Sequence, residues 1–160
     1  MQFINYFLAS LVSSLGLAIG IFLVRIAPEE QKPLAKNFSF LRKIFLILTF
    51  VFLIFYYFKS PFYLSLLLAC FVFILFIGYK TKDFFRKIMV SYLVFGILFF
   101  LSFQNKNLFV LESSLFLLYG MPAASLIYNK KNHYRIISYN LGFVITANFL
   151  YIITTSRFLF

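Results

Sequence analysis

The sequence predicts an all-α, polytopic integral membrane protein with six transmembrane helices arranged as three helical hairpins, and three observations predict it. The first is composition. Hydrophobic residues make up 63% of the chain and charged residues 12%, with a mean hydropathy of +0.96, whereas a soluble domain is about half apolar and about a quarter charged. The second is the set of apolar stretches at 4–26, 44–58, 62–79, 88–103, 108–128 and 136–156. Spans of about 20 residues fill residues 1–160 as a single bundle and leave no room for an extramembrane domain.

The third observation is where the cations lie. Arg25, Lys32, Lys36, Arg42 and Lys43 fall in the first gap, Lys80, Lys82, Arg86 and Lys87 in the third, and Lys130, Lys131 and Arg135 in the fifth. The other gaps and the C-terminal tail hold only Lys59, Lys106 and Arg157. Moving lysine or arginine across a bilayer is costly, so short loops rich in them stay in the cytoplasm. The chain therefore reads as six spans with both termini outside, in the plasma membrane of a prokaryote. The net charge of +11 is explained by those loops and does not call for nucleic acid. The expected partners are the lipid bilayer itself and anionic headgroups at the cytoplasmic loops, with other membrane subunits or a second copy of the chain beside them.

Taken in order, the first span carries no charge over residues 1–24 and runs too long for a cleaved signal peptide, so it stays as a helix. Ser10, Ser13, Ser14, Gly16 and Gly20 leave little bulk on it, and Gly16 and Gly20 form a GxxxG. Small residues four apart let backbones approach where lipid offers no hydrophobic drive to association. Contact with a neighbouring helix of the same chain is the preferred reading, and a homodimer face is the other. After this span, Pro28-Glu29-Glu30 resembles a helical first turn, with Pro33 expected to keep it short.

The second span has no glycine, alanine or serine and is expected to face lipid. The second and fourth spans give roughly 22 Å and roughly 24 Å of helix against a core of about 30 Å. Each is therefore expected to continue into its flanking loop, with Arg42, Lys43, Arg86 and Lys87 snorkelling to the headgroups. The third span holds the single cysteine, Cys70, which excludes an intramolecular disulfide and reads as a small buried residue. Lys59-Ser60-Pro61 and Gln104-Asn105-Lys106-Asn107 are short outer connections, which make helices 2 and 3, and helices 4 and 5, antiparallel neighbours. With tryptophan absent, the tyrosines are expected to supply the aromatic belt. Similar starts at Leu41-Arg42-Lys43-Ile44, Phe85-Arg86-Lys87-Ile88 and Tyr134-Arg135-Ile136-Ile137 raise a three-hairpin repeat about an axis along the membrane normal.

The fifth span contains Glu112, which shares a helical face with Leu115, Phe116, Tyr119, Gly120 and Ala123 and lies roughly 6 Å below the outer boundary. A carboxylate inside a span is a functional candidate by default, because burying it is costly. Pro122 removes a backbone donor and is expected to kink this helix. On the sixth span Asn140, Asn148, Tyr151 and Thr155 form one polar face, and Tyr151 comes to about the depth of Glu112. These residues read either as the lining of a polar site between helices 5 and 6 or as interhelical hydrogen bonds that hold the bundle, worth about 1 kcal/mol each.

Catalytic reagents are scarce. The carboxylates are Glu29, Glu30, Asp83 and Glu112, the only histidine is His133, and no HExxH, GxSxG, phosphate-binding loop or Cys/His cluster occurs. No catalytic residue, metal or cofactor is therefore expected, and Asp83 reads as a counter-charge for its basic neighbours. Two functions of different class follow: a noncatalytic multi-pass subunit or scaffold, which is preferred, and a small carrier or channel using Glu112, Asn140 and Asn148. A continuous polar cavity reaching Glu112 and Asn148 would favour the carrier. A tightly packed bundle with one bare apolar flank would favour the subunit.

Overall fold

A computed structural model describes residues 3–81, 83–127 and 133–157, with the side chains of 84, 133–137, 139, 140, 156 and 157 outside that description. The described chain is helical, with α1 at Phe3–Ile26, a short 3-10 turn at Pro28–Glu30, α2 at Gln31–Tyr57, α3 at Pro61–Lys80, α4 at Phe84–Ser102, α5 at Lys106–Ile127 and α6 at His133–Arg157. Five helical segments are long and apolar enough to cross a membrane: Phe3–Ile26, Pro28–Tyr57, Pro61–Lys80, Phe85–Ser102 and Lys106–Ile127. The apolar part of α6, Leu141–Thr155, is shorter.

Local chemistry explains the helix starts. The turn at Pro28–Glu30 runs directly into α2, so the expectation that Pro33 stops the helix is wrong. Pro33 falls in the first turn of α2, where a backbone N–H would have no intrahelical acceptor and its loss costs nothing. Arg42 and Lys43 ride on the helix, as the expected continuation of the second span requires, and Lys36 does as well. Asp83 caps α4: its Oδ1 accepts from the Phe85 N–H at 3.0 Å, and its Oδ2 lies 3.7 Å from Arg86 Nε. Asn105 caps α5 by accepting from the N–H groups of Asn107 and Leu108 at 2.9 and 3.2 Å.

The bundle is assembled from helices far apart in sequence. α1 packs on α5, α2 on α5, and α4 on α6, while α1 also meets α6 and α4 meets α5. α2 and α3 touch, as do α4 and α5, in keeping with their short connections. A three-fold arrangement of hairpins would make α1–α3 and α3–α5 equivalent to the α1–α5 packing, but neither is among the substantial helix pairs. α3 is peripheral, packing chiefly on α2 and α4 and burying only Leu67 and Ile74.

The interior is aromatic. Phe95 and Phe116 lie 4.8 Å apart by ring centroid, Phe99 and Phe109 4.8 Å, and Phe116 and Phe143 5.8 Å. This qualifies two expectations. α2 is largely exposed, with Phe55 at 77%, but Thr49, Phe50, Leu53 and Tyr57 form one buried stripe along it. The tyrosines are not mainly a belt. Tyr6, Tyr92 and Tyr119 are buried, and the Tyr57 hydroxyl donates to the Leu101 carbonyl at 2.6 Å, tying α2 to α4.

Candidate functional site

Glu112 occupies the buried face of α5 with Leu115, Phe116, Tyr119, Gly120 and Ala123. It is 0% exposed, and neither carboxylate oxygen has a hydrogen-bond partner among the described residues. What surrounds it follows from the α1–α5 interface. A side chain on Gly16 would strike the Leu117 carbonyl, and one on Gly20 would strike the Met121 carbonyl and meet the Ala124 Cβ at 2.7 Å. Gly120 in turn faces the Gly16–Leu17 backbone, where an added Cβ would sit 2.7 Å from both. The GxxxG is thus spent inside the chain, because only glycine lets the two backbones come this close.

These pairs run in parallel, with an offset from 101 residues (Gly16 to Leu117) to 104 (Gly20 to Ala124), so Glu112 comes level with residues 8–11 of α1. Ser10 lies at that level and is itself buried. Asn148 Nδ2 donates to Ser10 Oγ at 3.0 Å and to the Val144 carbonyl at 2.8 Å, which leaves Asn148 Oδ1 without a partner. One helical turn nearer the start of α1, the Tyr6 hydroxyl donates to the Ala147 carbonyl at 3.1 Å. The Tyr6 ring stands between Tyr151, at 4.6 Å, and Phe109, at 5.8 Å.

The structure therefore carries the polar residues of α6 to α1 rather than to α5. Asn148 bonds to Ser10, Tyr151 stacks on Tyr6, and no hydrogen bond links either to Glu112. Thr155 is exposed, and its hydroxyl donates back to the Tyr151 carbonyl at 2.8 Å. Asn140 belongs to α6, but its side chain lies outside the described residues. α5 and α6 are not a substantial packing pair; their rings meet at Phe116 and Phe143. Pro122 is buried inside the continuous helix Lys106–Ile127. Just beyond it the Ser125 hydroxyl donates to the Met121 carbonyl at 3.0 Å, and Gln31 Nε2 from α2 donates to the Ser125 carbonyl at 2.7 Å.

Three orphaned polar groups thus share the bundle interior: the Glu112 carboxyl, Asn148 Oδ1 and the Tyr92 hydroxyl, which lies against Gly120. Sequence reasoning did not single out Tyr6 or Tyr92. The signal was available, since a hydroxyl within an apolar span needs a partner and so prefers the interior. A separate groove of about 770 Å³ lies between the N-terminal halves of α1 and α5, lined by Ala9, Val12, Phe109, Val110 and Leu117 with Asn5, Gln104 and Lys106 toward the helix starts. Glu112 is not among its lining residues. No group of three or more His, Cys, Asp or Glu that would hold a metal occurs among the described residues. Comparison with protein-family models, with curated proteins and with solved structures finds no match.

Proposed function

We propose that this chain is a noncatalytic multi-pass membrane subunit or scaffold, and the observation that carries the reading is the isolation of α3. That helix buries only Leu67 and Ile74 and leaves Phe62, Leu68, Val72, Phe73, Leu75 and Phe76 exposed. A helix held so loosely by its own bundle offers most of its circumference to another protein. The tightly stacked aromatic interior supports the same reading, because rings from α4, α5 and α6 fill the space between those helices. In the proposed arrangement the chain crosses the plasma membrane of a prokaryote six times as three connected hairpins, with α6 as the sixth span and both termini outside. The asymmetric placement of lysine and arginine supports this orientation. The partners are other membrane subunits or a second copy, within a bilayer whose anionic headgroups meet the basic connections.

Gentle-detergent purification of the tagged chain tests the reading, with photo-crosslinking residues placed at Phe73 and Phe76 on α3 and at Leu8 and Ile145 on the other flanks. A stoichiometric protein adduct confined to the α3 positions is expected. A monomeric chain with no adduct, or adducts equally frequent at all four positions, would overturn it.

One observation favours a small carrier or channel instead: Glu112 is wholly buried without a hydrogen-bond donor. An intramembrane carboxyl in that state is a place for a proton or a cation. Flux through reconstituted vesicles that is lost in Glu112→Gln would support that reading, since the amide keeps the shape and loses the charge.

A further inference from the structure

At the end of the bundle that carries the α1–α2 and α3–α4 connections, a half-open pocket of about 330 Å³ is lined by residues of four helices. Arg42 and Lys43 come from α2, Gly78 from α3, Lys87 and Ser91 from α4, and Tyr119 from α5. We propose that this pocket binds a phosphate group, carried by an anionic phospholipid or by a soluble phosphate compound.

Arg42, Lys43 and Lys87 all line this pocket, and no carboxylate is among the lining residues. An anion entering it is attracted by all three charges at short range. Snorkelling alone would spread these side chains outward along their separate helices. Instead they line one pocket in which the buried Ser91 and Tyr119 form a polar floor beside the apolar Leu46, Ile74 and Leu75. The Ser91 hydroxyl donates to the Lys87 carbonyl at 2.9 Å, which holds the floor to the base of Lys87. Gly78 completes the wall without a side chain, and a Cβ added there meets nothing within 4 Å. Guanidinium and ammonium donors around one concavity match the acceptors of a phosphate. Basic pockets between helices near the cytoplasmic face are suited to phospholipid headgroups. The lipid version rests on the membrane orientation proposed above, whereas the phosphate chemistry does not.

The test uses the full chain in neutral detergent, stripped of lipid. Binding is read by thermal stabilisation and by native mass spectrometry, with inorganic phosphate, phosphatidylglycerol and phosphatidylcholine as separate probes. Phosphatidylglycerol or inorganic phosphate is expected to bind and phosphatidylcholine is not. Stabilisation by phosphatidylglycerol alone assigns a lipid headgroup; stabilisation by inorganic phosphate as well assigns a site open to soluble phosphate compounds. The double change Lys43→Gln with Lys87→Gln should weaken binding about tenfold or more, since it removes two charge-assisted contacts. Gly78→Phe adds bulk at an open wall and should block binding while the chain stays folded. Lys59→Gln, at the opposite end of the bundle, should change nothing. Equal weakening by Lys59→Gln, unaltered binding in both pocket variants, or no preference for the anionic probes would overturn the proposal. None of those outcomes bears on whether α3 recruits a partner.

Discussion

Asn148 and Glu112 are polar residues at similar depth with opposite fates. Asn148 donates to Ser10 and to its own helix, whereas Glu112 has no donor at all. The consequences differ. A double-mutant cycle on Ser10→Ala and Asn148→Ala should return a coupling of about 0.6 kcal/mol and no more than about 1.7 kcal/mol, measured by unfolding in detergent. Glu112→Leu should be neutral or should stabilise the chain by about 1–3 kcal/mol, because it removes an unsatisfied buried group while keeping most of the volume. Thermal unfolding of the purified variant checks this, and destabilisation of similar size would mean that the carboxyl makes a bond in the membrane. Sequence alone marked both residues as buried and polar, but the partner of Asn148, Ser10, lies on α1, 138 residues away. No spacing rule reaches that far.

Glycine and tyrosine set the packing at the level of helices. The α1–α5 contact tolerates no side chain at Gly16, where a Cβ would strike the Leu117 carbonyl. Gly16→Val should therefore abolish a monodisperse product in size-exclusion chromatography, a loss of several kcal/mol at an interface that cannot part without opening the bundle. Gly78→Ala is the contrasting case. It has open space around it, and helix propensity alone should add up to about 1 kcal/mol. Tyr57→Phe removes the hydroxyl that joins α2 to α4 and should cost about 1 kcal/mol, with little change in secondary structure by circular dichroism. The GxxxG was readable because small residues advertise close approach. The buried faces of α2 and α4 were not, because Phe50, Leu53, Phe95 and Leu98 pack through bulk that looks the same on a lipid-facing helix.

Topology is a property of the whole molecule and can be tested without knowing the function. In a Cys70→Ala background, cysteines at Asn37 and Lys82 should resist an impermeant thiol reagent on intact cells, whereas one at Asn105 should react. The reverse pattern would invert the protein. Asn37 lies on the exposed side of α2 and Asn105 at the cap of α5, so substitution at either leaves the aromatic interior untouched.

Composition and the apolar stretches are local properties of the chain, and they were enough for the all-helical class, for helices long and apolar enough to cross a membrane, and for the approximate position of the described helices apart from the start of α2. Only the tertiary structure decided which helices meet. In lipid an apolar residue gains little by facing inward, so hydropathy does not report which face of a helix is buried. Selection falls to shape: the glycine faces of α1 and α5, the rings between α4 and α6, and the gap beside α3 that basic residues of α2 and α4 line. Those fits join surfaces that are distant in the chain, and they exist only once the backbones have come together.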